Sequence, residues 1–186
     1  MSKSNEFIFI KNARVSFPHL FTKPIINGNE GKCGCTLMLD PETNATHIKA
    51  IQQEIDAITQ DKFKGRKLPS DKICLRDGED KGRPEYEGLM VISANSKDRP
   101  FVLGNNRKQI TSEEECDIYS GCYVNAKIRL WAQNNNYGKR INAELIAIQF
   151  AGDGESLDGS YVSADVAAEG FEDTSEDDLD FLSQAS

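Results

Sequence analysis

Apolar positions along the chain follow two different periods, and each marks an element. Residues 123–131 (YVNAKIRLW) alternate strictly. Val124, Ala126, Ile128 and Leu130 fall on one side, and Tyr123, Asn125, Lys127, Arg129 and Trp131 on the other. The polar turn QNNNYG follows, and Lys139 and Arg140 open a returning strand over residues 141–150, which predicts a β-hairpin. Residues 7–17 (FIFIKNARVSF) are aromatic and β-branched and predict a first strand that Pro18 breaks. Residues 33–39 (CGCTLML) predict a second, and residues 89–94 and 101–103 two more. Between them the period changes: Ile48, Ile51, Ile55 and Ile58 recur at helical spacing, so one face of a single helix packs on the body. Asp40 is its expected N-cap, with Pro41 at the first helical position.

The long stretch 61–87 is polar and broken by five glycines and prolines before Gly88. It carries a basic cluster, Lys62, Lys64, Arg66 and Lys67, around one aromatic, Phe63. A solvated loop explains the charges; a loop that grips a nucleic-acid strand explains the charges and the Phe. Arg107 and Lys108 form a smaller basic pair after the strand at 101–103.

The outward side of the hairpin has unusual chemistry. It interleaves Tyr123 and Trp131 with Lys127 and Arg129, and Tyr137, Lys139 and Arg140 stand near its tip. Unpaired nucleic acid needs both kinds of group, cations for phosphates and flat rings on which bases stack. A ring tucked under a neighbouring loop is the plainer reading of the same face.

Charge changes the picture further. The formal net charge is −8 at pH 7, yet all 22 Lys and Arg lie at or before Arg140. Residues 152–186 hold 11 of the 30 acids and no base, leaving the body at +3. The expected domains are therefore a folded body over 1–151 and a disordered acidic tail over 152–186. Within the tail, Asp177, Asp178 and Asp180 flank Phe181, an acidic-aromatic segment suited to docking in a basic, apolar-floored pocket of a protein partner or to competition for the body's own groove. Phe181 is followed by five further residues.

Several chemistries find no support. Five cysteines, an odd number in a chain with no export signal, predict free thiols, and Cys33 and Cys35 lack the paired C-x-x-C spacing of a zinc ribbon. No metal or other cofactor is expected. The densest acids of the body, Asp77, Glu79 and Asp80, sit in a glycine-rich turn with Arg76, Lys81 and Arg83 and no histidine, so no enzyme is expected. No segment has the roughly 20 apolar residues of a membrane span, and the expected location is the cytoplasm.

Five short motifs, in order, carry a resemblance: Arg14-Val15-Ser16-Phe17-Pro18, Leu75-Arg76-Asp77-Gly78, Arg99-Pro100, Ile118-Tyr119-Ser120-Gly121 and the ending QFAGDG. Together they resemble a family of bacteriophage single-stranded DNA-binding proteins, similar in plan to those of the T-odd podoviruses, over residues 7–159. The resemblance implies a mainly β OB-fold, a partly open five-stranded barrel with one helix, whose groove holds DNA through aromatics and cations. It implies a single-stranded DNA-coating protein, monomer or homodimer, that serves phage replication or recombination. A recombination mediator or protein-interaction module is the alternative. The usual OB order puts its helix after the third strand, whereas here it follows two; either the first segment bends and counts twice, or a strand goes unread.

Overall fold

The structure, a computed structural model, describes residues 6–157 together with Ala168, Gly170 and Phe171. In chain order it holds β1 (Phe7–His19), β2 (Ile25–Ile26), β3 (Asn29–Glu30), β4 (Cys33–Leu39), α1 (Ala45–Lys62) and β5 (Leu75–Asp77). These are followed by β6 (Met90–Ser96), β7 (Phe101–Leu103), β8 (Gln109–Ile110), β9 (Tyr123–Asn135) and β10 (Gly138–Gly152).

Five strands close a barrel in the order β1-β4-β6-β10-β9 and back to β1. All neighbours are antiparallel except β6 and β10, which run parallel and meet only through Ala94↔Ala143 and Asn95↔Glu144. This is the OB order, and the expected partial opening reduces to that short seam. The two-residue strands β2 and β3 form a separate hairpin in the loop from β1 to β4. The β7 strand extends the sheet beside β10, and β5 lies on the far edge of β6.

The helix enters between the second and third barrel strands, β4 and β6. Neither alternative explains its early position: β1 counts as one barrel strand, and the strands unread before α1, β2 and β3, lie outside the barrel. A bend does occur in β1. Its register shifts between Ile10 and Ala13 and again between Ser16 and His19, with left-handed backbone at Asn12 (φ 54°) and Phe17 (φ 52°). The N-terminal half thereby pairs with β9 and the C-terminal half with β4. Pro18 sits in the second irregularity and does not end the strand, because its missing N–H is not needed there.

Asp40 behaves as expected locally, its carboxylate accepting from the N–H of Glu42 (2.7 Å) and Thr43 (3.3 Å). That caps only a preceding turn, however; the helix itself starts at Ala45, with Asn44 in the N-cap position. Ile51, Ile55 and Ile58 are buried, and Ile48 packs at the margin. Each buried isoleucine contributes roughly 1.5–3 kcal/mol. They close the core formed by Ile10, Val15, Leu37, Ile92, Val124, Ile128, Leu130, Ile141 and Leu145.

The packed body runs past β10 to Leu157, beyond the expected boundary at residue 152. Arg14 donates to the carbonyls of Gly121 (3.0 Å) and Glu155 (2.6 Å). The Tyr119 hydroxyl lies 2.9 Å from the carbonyl of Gly154 and 3.0 Å from its N–H, and Leu157 N–H donates to Ser120. The glycines allow this approach: a Cβ on Gly121, where φ is +110°, would stand 2.0 Å from the Glu155 oxygen. Three motifs of the sequence (RVSFP, IYSG and the GDG of QFAGDG) therefore meet in one strap.

Candidate nucleic-acid interface

The inward positions of β4 and β6 fill the core; on their outer faces Met38 and Val91 pack with Tyr86, and the positions beyond them are small or polar. Thr36 pairs with Ser93, and Gly34 with Asn95. These form the low floor of a groove. Its deeper part, about 810 Å³, is walled by Trp131, Gln133 and Arg140 of the β9–β10 hairpin and by Lys72, Ile73, Cys74 and Arg76 before and within β5. A shallower part of about 720 Å³ shares Lys32, Ser93 and Asn95 with the first and continues past Gly34 and Thr36 to Phe17, His19, Ile25, Ile26 and Arg83.

Electrostatics and aromatics are both concentrated here. The deep part is lined by Lys32, Lys72, Arg76, Lys97, Arg129 and Arg140, against one carboxylate, Glu144. Trp131 stands at one end, 39% exposed on β9 opposite Asn142 of β10. Phe17 stands at the other, 44% exposed, with the Arg83 guanidinium 4.4 Å from its ring centre. A left-handed backbone at a bulky residue costs on the order of 1–3 kcal/mol and tends to mark a functional position. At Phe17 it turns the ring out of the bulge and into the groove. Arg76 is held by the carbonyls of Ile73 (3.1 Å) and Asp71 (2.5 Å), which fixes its direction.

The alternation expected for β9 is present: Val124, Ala126, Ile128 and Leu130 are buried, while Tyr123, Lys127 and Trp131 are exposed and Arg129 half-exposed. Of the hairpin residues singled out from sequence, Arg129, Trp131 and Arg140 come together in the groove. Lys139 is exposed on the same hairpin, and Tyr137 stands at its tip, 88% exposed. Tyr123 lies at the opposite end of β9, against Gly154 of the strap. Lys127 faces outward beside Phe7.

The basic loop does not act as a unit. Phe63 is only 5% exposed and belongs to the core, so it is no stacking platform; it caps α1 and extends the isoleucine stripe. Lys62, Lys64, Arg66 and Lys67 remain exposed around it, Lys62 beside Asp61, and none lines the groove. Arg107 and Lys108 lie on the exposed β7–β8 turn, also apart from the groove. The tail residues Asp177, Asp178, Asp180 and Phe181 lie outside the described residues.

Sequence reasoning did not place Phe17, Arg83, Lys32, Lys72, Arg76 and Lys97, which line this groove, among its candidates. Phe17 and Arg76 were inside quoted motifs; for the lysines no local pattern gave a signal. Among the described residues no three His, Cys, Asp or Glu side chains gather as metal ligands. Cys33, Cys35 and Cys122 are buried thiols, and burial pushes Cys74, at the groove wall, up to about 12. No helix among the described residues is long and apolar enough to cross a membrane.

The family model for the single-stranded DNA-binding protein of Enterobacter phage Enc34 matches residues 6–182. The putative protein p50 of Acyrthosiphon pisum secondary endosymbiont phage 1 is 30% identical over 177 residues, covering 90% of this chain and 94% of its own. The solved Enc34 protein in complex with single-stranded DNA superposes with a TM-score of 0.74 at 34% identity, covering 82% of this chain and 89% of that one. The single-stranded DNA-binding protein of bacteriophage T7 shares the fold alone, with a TM-score of 0.51 at 10% identity over 86% of this chain and 99% of that one. The chain belongs to the family of the Enterobacter phage Enc34 single-stranded DNA-binding protein.

Proposed function

We propose that this chain binds single-stranded DNA along the groove over β4, β6 and β10, without strong sequence preference and without catalysis. The observation that carries this is the groove itself: six cations against one carboxylate, over a floor of small residues, with an exposed ring at each end. Phosphates meet Lys32, Lys72, Arg76, Lys97 and Arg140, and bases stack on Trp131 and Phe17. Tyr137 and Lys139 extend the contact at its margins. Phosphate contacts and ring stacking act on any base, which suits a protein that coats and protects strands during phage replication or recombination in the bacterial cytoplasm. Asp77, the densest acid cluster's first member, has a structural use: it accepts from Glu79 N–H to cap a short turn.

The acidic tail recruits protein partners or competes with DNA, with Phe181 and its neighbouring acids as the contact. Its attachment supports the second role. Leu157 packs beside Tyr86, whose hydroxyl bonds Ser16, the neighbour of Phe17.

Titration of a fluorescent oligonucleotide, single- and double-stranded side by side at several salt concentrations, tests the proposal. Single strands should bind more tightly, with log K falling by about 0.7 per phosphate contact for each unit of log salt. Equal affinity for duplex, or none for either, refutes it.

A further inference from the structure

Two exposed phenylalanines lie outside the groove. Phe7 and Phe9 are 54% and 47% exposed on the outer face of β1, where alternation places both rings on the same side. In the ladder Phe7 stands opposite Arg129 and Phe9 opposite Lys127. The Lys127 ammonium lies 5.4 Å from the Phe7 ring centre and the Arg129 guanidinium 5.8 Å, while the Lys11 ammonium lies 6.0 Å from that of Phe9. Two large rings left in water, each with a cation at its face, are poorly explained as packing.

We propose that Phe7, Phe9, Lys11 and Lys127 form a second stacking surface, which takes the bases of single-stranded DNA as the strand leaves the groove. The inference rests on the groove being the primary DNA site. Continuity is supplied by Arg129, which lines the groove and also faces Phe7. Charge favours the same occupant: Glu144, the carboxylate beside Arg129, is already engaged by it. Along β1 the two rings are roughly 7 Å apart, room for a base on each. Because the rings and cations alternate, an extended strand meets both chemistries at each step, as it does in the groove. A long strand then turns from the face of β4, β6 and β10 onto that of β9 and β1.

Oligonucleotide length separates the two surfaces. With the full chain, oligothymidines of about five nucleotides fill part of the groove, whereas those of about twenty can also reach β1. The paired substitution Phe7→Ala with Phe9→Ala should weaken the long oligonucleotide by at least about fivefold and the short one by less than about twofold. Lys11→Gln with Lys127→Gln should lower the salt slope by about 0.7 per lost cation for the long oligonucleotide alone. Unchanged affinity for the long strand, or equal loss at both lengths, overturns the proposal. So does conversion of a dimer to a monomer by the Phe pair with DNA affinity untouched, which would make the patch an interface between copies. Failure of the unaltered protein to bind the short oligonucleotide refutes the groove itself, a separate result.

Discussion

Arg129 and Glu144 face each other across the β9–β10 ladder, and two nitrogens of the guanidinium, Nε at 3.0 Å and a terminal one at 2.5 Å, converge on a single carboxylate oxygen. The pair is about one-third exposed at each end. In the DNA-free protein the ion pair therefore partly neutralises one groove cation. Glu144→Gln should release it, tightening single-strand binding at low salt and steepening the salt slope by about 0.7. A titration showing weaker binding in that variant would mean that Glu144 positions Arg129 for DNA.

The aromatic ends of the groove should dominate affinity. Trp131→Ala and Phe17→Ala are each expected to weaken oligonucleotide binding by about 1–3 kcal/mol with little change in melting temperature. As Trp131 is the chain's one tryptophan, its fluorescence should quench on binding. Unaltered affinity in a folded Trp131 variant would assign that ring to packing.

Phe63 gives the opposite expectation. Phe63→Ala removes a core ring beneath the basic loop and should cost about 3–5 kcal/mol of stability. The fraction that remains folded should bind DNA with normal affinity, measurable below the lowered melting temperature.

Two truncations distinguish tail from strap. Ending the chain after Leu157 removes nine acids and takes the net charge from −8 to +1. DNA binding should tighten, most at low salt, with thermal stability unchanged. Ending it after Gly152 also removes the residues that Arg14 and Tyr119 hold, and should lower the melting temperature. Equal stability of the two forms would show that the strap contributes nothing to the body.

Alkali should expose the buried thiols. Cys35 is pushed from 9.0 to about 12 by desolvation, with Cys122 adding to the rise. A folded value above the unfolded one means stabilisation that is whole below pH 9 and lost as pH climbs toward 12. Melting temperature should fall over that window, and Cys35→Ala, though less stable throughout, should fall less steeply.

How far the sequence revealed the fold depended on whether a signal was local. The alternation in β9 and the isoleucine stripe of α1 each lie within one element, and both read correctly. The same stripe, continued from Ile55 by eight residues, reaches Phe63, so its burial was legible had the period been followed past Lys62. Phe7 and Phe9 likewise alternate in plain sight within FIFI. The groove floor had no such signal. Gly34, Thr36, Ser93 and Asn95 are small or polar residues on two strands, and they become a surface only through the β4–β6 register. Nor does composition show that residues 75–77 in a glycine-rich stretch extend a sheet, since a three-residue strand has too few positions for a period. Phe17 required knowing that the chain buckles beside Pro18.

The closure of the barrel through its last strand bears on how the protein is made. The β1 strand finds its first partner in β4, early in synthesis, but its N-terminal half waits for β9 and the seam waits for residues 143 and 144. Such distant pairings make folding slow compared with a helical protein of the same size. A ribosome must release nearly the whole body before Trp131 and Phe17 can face a common channel. Unfinished chains therefore carry the cations without the groove, and the protein becomes able to hold a strand only once β9 and β10 have left the ribosome.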